Sequence, residues 1–153
     1  MTEEEKAEFR LTGLPYQLST LQAKLNKHAS RELAQFDLKL VEWRVLFMLE
    51  SLGESCLSEL HRLGRIDKGQ LSRTITRLLD KGYIEASVNC QDQRNRRLSL
   101  TRLGKEKAEP AHEAMKARRD AIADCLGSAG LEQMTRQIRV LHDFMSRELG
   151  EKE

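Results

Sequence analysis

The sequence predicts a mainly α-helical fold with a small β element of two or three strands and long helices at its N- and C-terminal ends. Three observations carry that reading. Apolar residues recur at helical spacing over most of the chain, as in Leu14, Leu18, Leu21 and Leu25 and again in Leu131, Met134, Ile138, Leu141 and Met145. The period falls to two in a single stretch, where Ile84, Ala86 and Val88 alternate with Glu85 and Ser87, and Leu98 and Leu100 flank Ser99. Between the ends lie two short helical patterns separated by Gly64-Arg65-Ile66.

Taken in order, Pro15 suits a first helical turn, so the first helix is expected from Leu14 to Leu33, with an apolar stripe as narrow as a coiled-coil seam. Val41 to Leu52 is apolar nearly all round, with Trp43, Leu46, Phe47 and Leu49, and is expected to be the buried central helix that Gly53 stops. A short helix from Leu57 to Leu63 follows, capped at Cys56 or Ser55. The next helix, Lys68 to Lys81, has Asp67 as its cap, Gln70 placed to return the hydrogen bond, Ile66 and Leu71 as a hydrophobic staple, and Gly82 to end it. The alternating stretch reads as a hairpin with a polar tip from Asn89 to Asn95. Thr101 caps a further long helix in which Pro110 predicts a kink or restart. Beyond Gly127 and Gly130 runs the final amphipathic helix.

The chain has 153 residues, enough for one domain that buries roughly 70% of its unfolded surface without metal or disulfide. Its longest apolar run, Val45 to Leu49, excludes a membrane span. Glu3, Glu4 and Glu5 stand where a secretory signal would be basic and then apolar, and three scattered cysteines fit a reducing compartment, so a cytoplasmic location is expected. The net charge of +2 conceals an asymmetry. From His61 to Lys105 there are eleven basic and four acidic residues, a net of +7, which leaves 15 basic and 20 acidic residues, a net of −5, on the rest. A basic block between acidic flanks is the footprint of a domain that meets a polyanion on one side.

Two short helices joined by a tight turn, followed at once by a charged hairpin, is the order of a winged helix-turn-helix. A helix that enters a major groove about 12 Å wide must offer donors from one face while the other stays packed. Leu71, Ile75 and Leu78 form the packed face; Lys68, Gln70, Ser72, Arg73, Thr76 and Arg77 form the face for double-stranded DNA. At the hairpin tip Arg94 is expected to probe the minor groove with Asp92 orienting it, and Arg96 stands just behind. The narrow seams of the first and last helices find a natural sink in a second copy of the chain.

The run Asp67-Lys68-Gly69-Gln70-Leu71-Ser72-Arg73, then Leu78-Leu79-Asp80-Lys81-Gly82-Tyr83-Ile84, Asp92-Gln93-Arg94 and Leu98-Ser99-Leu100-Thr101 resembles the MarR family of bacterial transcription regulators, as does Trp43-Arg44-Val45-Leu46. The resemblance covers nearly the whole chain. It implies a homodimer in which residues 1–36 and 101–153 form the dimerisation region and residues 37–100 the DNA-binding lobe. It also implies binding to a pseudo-palindromic operator, as a repressor released by a small-molecule effector such as an aromatic carboxylate. Gln93 stands where many members have Arg or Gly.

Effector pockets of the family lie between the dimerisation helices and the lobe, which brings forward His28, in register with Leu21 and Leu25, together with Trp43 and Arg44. A redox signal is the alternative, through Cys56 at a helix start or Cys90 near the hairpin tip, with Cys125 expected to be packed. A winged-helix module that binds an acidic protein is the alternative of another class; Ser72 and Thr76 among the arginines favour base readout over it. His28, His61, His112 and His142 show no ligand spacing with cysteines or carboxylates, so no metal site is expected, and no cofactor. No nucleophile elbow or phosphate loop is present, so the chain does not read as an enzyme.

Overall fold

The computed structural model describes residues 2–3, 5–6, 13–87 and 96–150. Among these the elements run α1 (Leu14–Ala34), α2 (Leu40–Leu52), β1 (Ser55–Cys56), α3 (Leu57–Gly64), α4 (Lys68–Asp80), β2 (Ile84–Ala86), β3 (Arg97–Leu100) and α5 (Arg102–Glu148). The chain divides into two compact units, Met1–Ala114 and Met115–Glu153.

In the first unit α2 is the hub, packing against α1, α3, α4 and β3. Its Val45, Leu46 and Leu49 are buried with Leu33 of α1, Leu60 of α3, Leu71, Ile75 and Leu78 of α4, and Ile84 and Leu98 of the sheet. The expected all-round burial of α2 is corrected at Phe47, Leu52 and Glu42, Leu52 being exposed at the helix end. Phe47 is 47% exposed, and the buried surface includes Glu42. The Glu42 carboxylate accepts the Lys39 N–H at 2.9 Å, satisfying one of the donors that a helix start leaves open. Gly53 ends the helix with φ 73°, a conformation that side chains adopt at a cost.

The β element has three antiparallel strands in the order β1-β3-β2. The expected hairpin pairs Ile84 with Leu100, Glu85 with Ser99 and Ala86 with Leu98. Ser55 and Cys56 add the third strand, opposite Leu98 and Arg97. Cys56 is both a strand residue and the cap of α3, its N–H donating to Glu59 at 2.8 Å. The left-handed residue of the following turn is Arg65, with φ 46°. Gly64 serves packing: a Cβ there would lie 2.9 Å from Met48 Cε.

Thr101 caps α5 as expected, accepting the Gly104 N–H at 3.0 Å and donating to the Gly82 carbonyl at 2.6 Å. A Cβ on Gly104 would collide with the Tyr83 carbonyl, so the start of α5 can press against the end of α4 only with glycine there. Of the kink or restart expected at Pro110, the restart does not occur: the helix runs through it. Pro110 and Glu106, whose carbonyl loses its partner, are both exposed, so water can serve that carbonyl. In the second unit the helical backbone breaks at Gly127, with φ 66° and ψ 164°. That unit exposes Ile138, Val140, Phe144, Met145 and Leu149, and Cys125, expected to be packed, is exposed as well.

Candidate nucleic-acid interface

Helix α4 separates its two faces sharply. Leu71, Thr74, Ile75 and Leu78 are buried, while Lys68, Gln70, Ser72, Arg73 and Thr76 are exposed. The start is fixed by Asp67, whose Oδ1 accepts the Gln70 N–H at 2.9 Å; the return bond from the Gln70 side chain does not form, and its amide has no hydrogen-bond partner among the described residues. Gly69 is exposed and leaves room over the first turn, and the Arg73 guanidinium lies back beside it, with Nη1 3.4 Å from where a Cβ would stand. A cation is thereby carried toward the N-terminal end of the helix, the end that enters a groove in helix-turn-helix docking. The Thr76 hydroxyl donates to the Ser72 carbonyl at 3.2 Å, turned inward along its own helix.

Arg77 sits differently from Arg73. Half-exposed, it places Nε 3.4 Å from Oε1 of the buried Glu42 and donates from Nη2 to Thr74 Oγ1 at 3.2 Å. Arg77, expected on the DNA face, also joins α4 to α2. Glu42 is the polar residue that sequence reasoning passed over. Its signal was present, a carboxylate at the third position of a helix whose residues from Val45 to Leu49 are all apolar.

At the wing, Arg96 is exposed at the mouth of β3. Arg97 is tied to the sheet base, with Nη1 3.4 Å from Glu59 Oε2 and Nη2 donating to the Glu54 carbonyl. The Cys56 N–H, aided by the Cys56 side chain and by Arg97 and Arg62 nearby, holds the Glu59 carboxyl below its ordinary range of about 4.5. The tip residues Asp92 and Arg94, with Cys90, lie outside the described residues.

The three residues expected at an effector site have different surroundings. His28 is exposed on α1, because the face that α1 buries within one chain is confined to Ala29 and Leu33. Arg44 bonds instead to Asn26 of α1, at 3.4 Å. Trp43 belongs to an aromatic cluster: it stacks on Phe47 at 5.5 Å, and His112 of α5 meets both rings edge-on, with its Nδ1 2.7 Å from Glu50 Oε2. Trp43 Nε1 and His112 Nε2 are buried without a hydrogen-bond partner among the described residues. Trp43, Phe47 and Glu50 share one helix face at i, i+4 and i+7, the signal from which the cluster could have been found. Among the described residues no group of three His, Cys, Asp or Glu is placed to hold a metal ion, and no helix is long and apolar enough to cross a membrane.

Residues 38–95 match the MarR family model, a span that covers α2, β1, α3, α4, β2 and the hairpin tip. The HTH-type transcriptional repressor IacR of Pseudomonas putida is 24% identical over 135 residues, 88% of this chain and 81% of that protein. A MarR family regulator from Neisseria meningitidis superposes with a TM-score of 0.72 at 25% identity, covering 90% of this chain and 96% of the other. A mutant MarR from E. coli, solved complexed with operator DNA, shares the fold at a TM-score of 0.77 and 19% identity, covering 88% of this chain and 96% of the other. With its three-stranded wing, its two-faced α4 and these likenesses, the chain carries a MarR family domain over residues 38–95 and is similar along most of its length to transcription regulators of that family.

Proposed function

We propose that the chain is a homodimeric repressor that binds a pseudo-palindromic DNA operator and leaves it when a small molecule binds. The observation that carries the reading is the exposed face of α4, where Lys68, Gln70, Ser72 and Arg73 offer donors outward from a helix whose other face is locked in the core. Arg96, exposed at the start of β3, adds a cation to this set, and Asp92 and Arg94 are the further contacts proposed for the wing. The transcriptional repressor IacR and the MarR solved complexed with operator DNA, to which the chain is similar, favour the same reading.

Residues 1–36 and 101–153 are the proposed dimerisation region. The apolar side chains that the described ends expose, Leu14, Tyr16 and Leu21 on α1 and Ile138, Phe144 and Met145 on α5, support it, since unpartnered apolar surface of this kind marks an interface. Residues 37–100 are the proposed DNA-binding lobe. The effector acts by preferring a conformation whose two recognition helices are spaced for no operator, so DNA affinity falls by that preference. Trp43, with the partnerless Nε1, is its strongest contact candidate, ahead of Arg44 and His28. For the redox alternative, Cys56 is half-buried with its Sγ 2.9 Å from Ser58 Oγ, and no observation favours it as a sensor over a structural cap.

A thermal-shift screen of phenolic and aromatic carboxylates, run with and without peroxide, tests the signal. The expected result is a rise in melting temperature with at least one carboxylate that disappears in Trp43→Ala. A shift with peroxide alone would replace the ligand reading with the redox one.

A further inference from the structure

Arg77 is held at two points inside the protein. Glu42 Oε1 faces its Nε at 3.4 Å, and Thr74 Oγ1 accepts from its Nη2 at 3.2 Å. Both anchors are themselves fixed. Glu42 is 1% exposed and spends its other oxygen on the Lys39 N–H at the start of α2, while the Thr74 hydroxyl, fully buried, donates to the Gln70 carbonyl at 2.8 Å. A polar chain thus runs from the first turn of α2 through Glu42, Arg77 and Thr74 to the first turn of the recognition helix. Nη1 of Arg77 has no hydrogen-bond partner among the described residues, and the side chain is still 41% exposed.

A carboxylate withdrawn from water persists ionised only beside a cation and hydrogen-bond donors, and Glu42 has one of each. The consequence for Arg77 is conformational. A long cation that grips DNA from solution loses its rotamer freedom at that moment, whereas one already pinned has lost it on folding. With Nη2 donating to Thr74 and Nε buried in ion-pair contact with Glu42 but without a hydrogen bond, one edge of the guanidinium is turned into the protein, and the corner that remains suits a single phosphate oxygen better than the two-point grip on guanine O6 and N7.

We propose that Glu42, a buried residue of α2, is a positioning residue for DNA binding: it holds Arg77 so that Nη1 is presented as a fixed phosphate donor beside the base-facing side chains of α4. This rests on the reading of the chain as a DNA-binding protein and gives Arg77, of the two contacts open to it, the phosphate rather than a base edge.

The test is a double-mutant cycle of Glu42→Gln and Arg77→Ala, read on the duplex that the full-length wild-type chain enriches from a randomised library and on a scrambled duplex. Glutamine keeps the acceptor for the Lys39 N–H and removes the charge that orients Arg77. The expected result is a five-fold or greater loss of affinity in Glu42→Gln on both duplexes and a salt slope lower by about one. In the Arg77→Ala background Glu42→Gln should cause no further loss. Thr74→Val, near-isosteric, releases the guanidinium from its other anchor and should move the same slope, which keeps the question open to experiment if Glu42→Gln does not fold. An unchanged slope in the folded variants, or an equal loss with Arg77 already removed, would overturn the positioning role alone. Failure of the wild-type chain to enrich any duplex would overturn the DNA-binding reading, and the role of Glu42 with it.

Discussion

Arg73 and Arg77 lie one helical turn apart and look interchangeable in the sequence, yet the fold gives them different surroundings. Arg73 is exposed over Gly69, and Arg77 is tied to Glu42 and Thr74. Arg73→Ala is therefore expected to narrow the gap between enriched and scrambled DNA by about 1 to 3 kcal/mol, read as the ratio of two dissociation constants. Arg77→Ala is expected to weaken both about equally, and also to lower the unfolding free energy by about 1 to 3 kcal/mol in chemical denaturation, because it strands a buried carboxylate whose partner was itself only half-buried. The exposed residues of α4 were legible in the sequence because helical periodicity separates faces. The Glu42–Arg77 pair was not, because a contact between side chains 35 positions apart depends on how α2 and α4 pack, which local spacing does not encode. At the wing root, Glu59 has its carboxyl pKa lowered by the Cys56 N–H and Arg97, so its contribution to stability is present above about 4.5 and is lost as pH falls through the folded value. Glu59→Gln is expected to flatten the dependence of melting temperature on pH below 4.5; an undiminished slope would remove Glu59 from that role.

At the scale of elements, the ends of α4 followed from single residues. Asp67 accepts the Gln70 N–H, and Asp67→Ala is expected to cost about 1 kcal/mol in denaturant-induced unfolding, with the helix content of the native state unchanged. The bounds of α1, α2 and α4 were readable for the same reason: caps and glycines act over one turn. The strand β1 was not, because two residues, Ser55 and Cys56, show no alternation, and only their partners on β3 make them a strand. For a related reason Pro110 does not end the helix. Its cost depends on whether the carbonyl it orphans is buried, and on this exposed face it is not. The start of α5 depends instead on Gly104, where Gly104→Ala would drive a methyl into the Tyr83 carbonyl and is expected to be among the most destabilising single-methyl changes in the chain, read by thermal unfolding.

At the scale of the whole molecule, the near-neutral charge of +2 resolves into a basic motif and wing and acidic remaining segments. Two copies joined through the ends of the chain would set two such motifs side by side, with spacing as the variable an effector controls. The exposed apolar residues of α1 and of the second unit become buried in that arrangement, so the melting temperature is expected to rise with protein concentration across the micromolar range. The sequence carried the charge asymmetry and the seams, while the aromatic cluster of Trp43, Phe47 and His112 needed the fold, because His112 lies 65 residues beyond Phe47. The most direct test of a two-fold DNA reader is enrichment of duplexes from a randomised library by the full-length chain. The expected outcome is an inverted repeat with half-sites centred about one helical turn, 10 to 10.5 base pairs, apart or a multiple of it. Enrichment of a single unrepeated site, or of nothing above the starting library, would contradict the account.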